Sequence, residues 1–199
     1  MQIILNELPQ TAAEFSAADL TRPEMTCALF LAALQLYTRD ANAGVEAMNV
    51  LRGPRPMTGY DTQFLRDRLR GKTYLPLAYF DGATPQNGYT PSRPYTLQVL
   101  PDLRPQDVEP GYLRVYLKTA GADSPRPMKL RQKGTNWYLW EYSSILSGIR
   151  IPVQDDPWAE DGRNLPASLH EGTSKTSINQ QIRGVGGSIL PPHPKGETV

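Results

Sequence analysis

Apolar positions crowd both sides of the segment that follows Thr21. Met25, Ala28, Leu29, Ala32 and Leu36 mark one helical face, while Phe30, Leu31 and Leu34 cover the other. A helix that is apolar all round is packed on both sides, so this segment, running to about Tyr37, is expected to be the core helix. Thr21 and Glu24 stand at capping-box spacing ahead of it. Asp40 or Asn42 can cap a second helix that carries Val45, Met48 and Leu51 and is stopped by Gly53 and Pro54. Thr58 opens a third, with Tyr60, Phe64, Leu65 and Leu69 inward, Arg66, Arg68 and Arg70 outward, and Gly71 at its end.

After residue 74 the period changes. The stretch 74–95 is dense in Tyr and Pro, too punctuated for a helix, and is expected to be an ordered loop packed on the core. Strands are predicted at 95–100, 112–118, 128–133 and 137–142, with a short opening strand at 2–5. In the second of the four, Leu113, Val115 and Leu117 alternate with Tyr112, Arg114, Tyr116 and Lys118, the signature of a sheet with one buried face. Gly134, Thr135 and Asn136 supply a hairpin turn into the strand led by Trp137. The predicted fold class is therefore α+β: a helical N-terminal half packed on a C-terminal antiparallel sheet of about four strands.

Composition divides the chain. Every aromatic residue lies at or before Trp158, whereas the remainder is rich in Gly, Pro and Ser. Residues 1–159 are expected to form a single domain and 160–199 a disordered or extended tail. Hydrophobic residues make up 39% of the chain, enough for one core of ordinary size.

Charge and rare residues then exclude whole chemistries. The formal net charge is +1, so no global field draws the chain toward nucleic acid or an anionic membrane. The longest apolar run is far short of the ~20 residues that span a bilayer. No secretory signal is visible in the opening residues, and the cytoplasm is the expected compartment. The single Cys27 sits among apolar neighbours as a structural thiol. Both histidines, His170 and His193, fall in the tail, leaving the domain no imidazole for a catalytic triad or a His-ligated metal. No metal or other cofactor is expected.

The candidate residues that remain are few. Asp123, beside Ser124 and Arg126, is the best local cluster for acid or base work, although Asp and Ser between glycine and prolines are also ideal turn residues. Arg114, Lys118, Arg126, Lys129, Arg131 and Lys133, interleaved with Tyr112 and Tyr116, form a basic strand face. Such a face can stack and hold single-stranded nucleic acid, but it also reads as the solvated side of a half-exposed sheet, and nucleic acid is not the expected partner. The wealth of Tyr and Trp, including Tyr79, Tyr89, Tyr95 and Trp140, offers anchors for a protein partner or the lining of a small-molecule pocket.

Several strings resemble a family of uncharacterised bacterial proteins, a domain of unknown function. They are Phe64-Leu65-Arg66-Asp67-Arg68, Gly82-Ala83-Thr84-Pro85, Gly121-Ala122-Asp123-Ser124-Pro125-Arg126-Pro127 and Asp156-Pro157-Trp158-Ala159. The resemblance covers nearly all of 1–159 and implies one domain; it brings no activity, cofactor or catalytic residue. A fold-level likeness also exists: Leu130, Gly134, Trp137 and Leu139 are similar to the closing hairpin of NTF2-like cones, which hold a pocket between helix and sheet.

The first functional expectation is a non-enzymatic cytoplasmic binding module. Its aromatic loop, 74–95, and last strand, 137–142, would meet a protein partner, with Tyr79, Tyr89, Tyr95, Asp123, Arg126 and Trp140 as candidate contacts. The alternative is a small-molecule pocket, with or without catalysis through Asp123 and a Tyr that needs neither histidine nor metal.

Overall fold

Helix α2 (Pro23–Arg39) is the element against which the others are laid, as its two-sided apolar pattern requires. A computed structural model of the chain describes residues 1–159, and the expected tail, with both histidines, lies outside the described residues. Every residue from Thr26 to Leu34 is buried. At roughly 1.5–3 kcal/mol for each large side chain removed from water, this helix is a main source of stability. Around it stand α1 (Ala12–Ser16), α3 (Ala41–Arg52) and α4 (Gly59–Leu69). Helices α2 and α3 approach so closely at Gly44 that a methyl group there would sit 2.4 Å from the Tyr37 Cα.

Five strands, β1 (Gln2–Leu5), β2 (Tyr95–Pro101), β3 (Tyr112–Leu117), β4 (Arg126–Lys133) and β5 (Asn136–Glu141), pair antiparallel in sequence order. The fold is α+β, with the opening segment supplying a fifth strand. Val99, Val115, Leu117, Met128, Leu130 and Leu139 are buried in the same core cluster as α2. The hairpin between β4 and β5 is closed by Gly134 and Thr135, flanked by the pair Lys133 and Asn136; Gly134 takes φ +60°.

The Tyr- and Pro-rich segment is ordered. It contains 3₁₀ turns at Leu75–Tyr79 and Pro85–Asn87 and a β-bridge between Phe80 and Leu97.

Three details differ from the sequence reading. Helix α2 begins with Pro23 in its first turn and Arg22 as N-cap; Thr21 bonds Asp19 and Glu24 pairs with Arg22, so no capping box forms there. Among the α-helices the reciprocal boxes lie instead at Thr11 with Glu14 and Thr58 with Asp61, the first opening a short helix whose five residues carry no readable period. Tyr60 points outward, 81% exposed, because the inward stripe of α4 is carried by Leu65 and Leu69.

Candidate functional site

Helix α3 ends in a sharp turn at Gly53, whose φ of +58° disfavours any side chain and whose Cβ, were one present, would lie 2.6 Å from the Tyr138 ring. The turn seats the chain on β5 and carries Arg55 across the sheet edge. Arg52, with only 3% of its side chain exposed, fixes this arrangement. Its Nε donates to the Arg55 carbonyl at 2.9 Å, and its Nη1 donates to Asp61 Oδ1 at 3.1 Å and to the Tyr142 hydroxyl at 2.9 Å. Asp61 also caps α4 through Thr58. Burial pushes the Asp61 carboxyl up, but the Thr58 hydrogen bonds and Arg52 together outweigh it and hold the group below its ordinary value.

Strand β5 contributes an irregularity. Leu139 pairs with Leu130 and Glu141 with Lys129, so Trp140 is an extra residue, a β-bulge. Trp140 keeps the outer face that alternation from the buried Leu139 gives it, and the bulge re-aims the residues that follow. Its ring meets Tyr112 edge-on at 5.4 Å, Arg55 stands 4.4 Å above its centroid and Arg131 4.7 Å. Arg131 also covers Tyr112 at 5.2 Å, and Lys129 approaches the same ring at 5.5 Å.

These cations are unequally matched by acids. Asp61 serves Arg52, and Glu141 stands 3.8 Å from Lys129. Among the described residues no carboxylate lies within 4 Å of Arg55, Arg131 or Lys133. Stacking on an indole restrains a guanidinium while leaving its in-plane N–H groups available, which suits capture of an anion.

Two hollows flank the Arg55–Trp140 stack. One, of about 300 Å³, is walled by Pro54, Tyr138, Leu139 and Trp140 and rimmed by Arg131 and Lys133. The other, about 220 Å³, lies among Tyr60, Asp61, Phe64, Trp140 and Ser143. Both sit at or below the lower end of small-molecule sites, ~300–1,000 Å³.

Of the six candidate partner contacts nominated from sequence, Trp140 alone stands in this cleft, where Arg131 and Lys133 of the basic strand face join it. Tyr79 and Tyr89 are buried, and their hydroxyls donate to the Ile145 carbonyl at 2.6 Å and the Arg150 carbonyl at 2.7 Å. Burial pushes both phenols up, Tyr89 to about 12, so neither exchanges a proton near neutrality. Tyr95 is half-buried, edge-on to Phe80 at 5.3 Å and covered by Arg93. Asp123 is exposed and pairs with Arg150, while Arg126 donates to the Gly148 carbonyl at 2.6 Å. Asp123 and Arg126 thus tie the 123–126 stretch to the 148–150 loop, and Tyr89 ties the 74–95 segment to the same loop. On the basic strand face, Arg114 is neutralised by Asp102 at 2.7 Å.

Arg52 and Arg55 carry no sequence signal beyond bracketing the Gly53-Pro54 helix stop, whereas Tyr142 falls within the strand, 137–142, expected to meet a partner. A separate groove of about 510 Å³ runs past Asp81, Gln98, Lys118 and Thr119. Among the described residues no group of three or more His, Cys, Asp or Glu is placed to hold a metal, and no helix is long and apolar enough to cross a membrane.

An α+β domain with one antiparallel sheet and a cationic, aromatic cleft at its edge is the class defined by these features. The chain belongs to the family described as Domain of unknown function (DUF6935), whose model matches residues 7–153. No curated protein and no solved structure matches it.

Proposed function

We propose that the protein is a non-enzymatic binding module that holds an acidic segment of a protein partner in the cleft between the α3–α4 turn and β5. The observation that carries this reading is the pair of exposed guanidinium groups, Arg55 and Arg131, stacked on one half-buried indole with no described carboxylate to oppose them. Aromatic and arginine anchors of this kind dominate protein interfaces. In this reading the 74–95 segment, whose Tyr79 and Tyr89 are buried, lies outside the cleft. The protein is taken to be bacterial and cytoplasmic, in keeping with a single buried thiol at Cys27.

Titration with poly-L-glutamate, with poly-L-lysine as control, tests the reading. Poly-glutamate should bind, lose affinity as salt rises, and bind at least tenfold more weakly to the Arg55→Gln/Arg131→Gln double variant. No binding at low salt, or equal binding by the variant, would refute it. The roomier groove at Asp81, Gln98 and Lys118 favours a second reading, a small-molecule site. A bound metabolite retained in native mass spectra, and lost on Lys118→Ala, would establish that alternative.

A further inference from the structure

We infer that the segment held in the cleft is an extended peptide carrying one acidic side chain between two apolar side chains on the same side of its backbone. This rests on the reading of the cleft as an acid-binding site and specifies what it recognises. Arg55 and Arg131 approach the Trp140 centroid to within 4.4 and 4.7 Å, so a carboxylate over the indole edge is within reach of both forks. A purely electrostatic site needs nothing more. Here, however, the Arg55–Trp140 stack separates two hollows that share both residues in their linings.

The hollow walled by Pro54, Tyr138, Leu139 and Trp140 is chiefly apolar, and its volume suits one side chain better than a whole ligand. The second is bordered by Tyr60, a large aromatic left 81% exposed on α4, and by the half-buried Phe64. Exposed apolar surface rimmed by charge marks a contact site.

An extended chain can present two side chains to two seats with an acid between them. Same-side residues recur every second position, about 6.6 Å apart, so residues i, i+2 and i+4 span ~13 Å. An acid at i+2 reaches the two guanidinium groups, and apolar side chains at i and i+4 fall on either side of the stack. Charge complementarity selects the middle position and hollow size the outer two.

The test uses the full chain with labelled tryptophan indoles, the Trp140 signal being assigned by Trp140→Phe. The probe is the peptide acetyl-Leu-Ser-Glu-Ser-Leu-amide. It should shift the Trp140 indole resonance saturably. Replacing both Leu by Ala, or Glu by Gln, should weaken binding at least fivefold each. Tyr60→Ala, at an exposed position, should weaken the Leu peptide and leave the Ala peptide unchanged. Equal affinity of the Leu and Ala peptides, or no response to the Leu peptide from a protein that binds poly-L-glutamate, overturns the two-seat inference alone. Equal affinity of the Glu and Gln peptides overturns the acidic middle position. Failure of poly-L-glutamate as well brings down the acid-binding reading with it.

Discussion

Arg52 donates a 2.9 Å hydrogen bond to the hydroxyl of Tyr142, joining the last residue of α3 to the residue just after β5, 90 positions away in sequence. The bond locks the turn that presents Arg55 to the strand that presents Trp140. Tyr142→Phe is expected to lower stability by about 1–2 kcal/mol in urea melts, since a buried charge loses one of its acceptors. Arg52→Ala removes the hub of three bonds and should cost about 3 kcal/mol or more. Tyr142→Phe as stable as the parent protein would show that the bond contributes nothing.

Asp61 makes the same region sensitive to acid. Its carboxyl is held below the ordinary 3.8 in the fold, so the stabilisation is fully present above that value and disappears as pH falls through the lower folded pKa. Urea midpoints measured downward from pH 5 should fall, and Asp61→Asn should flatten the decline.

At the alkaline end the sign reverses. Tyr89 ionises near 10.0 when unfolded and at about 12 in the fold, chiefly because burial penalises the phenolate. Its stabilising contribution is intact below pH 10 and is lost as pH rises toward 12. Tyr89→Phe should remove part of that alkaline loss while costing about 1 kcal/mol at pH 7 through the lost bond to the Arg150 carbonyl. It should leave poly-L-glutamate binding unchanged, because Tyr89 lies outside the cleft.

Gly53 and Gly71 separate backbone strain from crowding. Both have positive φ, +58° and +66°, but only at Gly53 would a methyl group meet a neighbour, the Tyr138 ring. Gly71→Ala should cost about 1 kcal/mol from strain alone. Gly53→Ala should cost more and should also weaken poly-L-glutamate binding by displacing Arg55. Equal effects in thermal melts and in binding would contradict the seating of the turn on Tyr138.

Cys27 should resist a thiol reagent such as DTNB at pH 8 until the protein unfolds. It is fully buried in α2, and burial pushes its thiol well above the ordinary value. Rapid native-state labelling would require local opening of the core helix.

The sequence revealed the elements well and the site poorly, for different physical reasons. Periodicity reports which face of an element is buried, and this was enough to find α2, the alternating β3 and the hairpin into β5. It also identified Trp140 as a candidate contact. Tyr79 and Tyr89, nominated alongside it, belong to the interior because a phenol can bury its ring and satisfy its hydroxyl on a backbone carbonyl, and composition does not distinguish that from a binding surface. Arg52 reads in sequence as an ordinary basic residue at a helix end. Only the fold shows it buried against Asp61 and Tyr142, through contacts nine and ninety positions distant.

The bulge in β5 has a consequence of parity. In a regular strand Trp140 and Tyr142 would occupy the same face. One additional residue shifts the odd–even count, so that Trp140 and Glu141 both look out toward Arg131 and Lys129 while Tyr142 turns in to Phe30, 4.9 Å away, and to Arg52. A single insertion therefore turns the phenol that anchors the turn inward, behind the outward indole that receives the guanidinium groups. Removing one residue from this strand would leave at most one of them correctly directed.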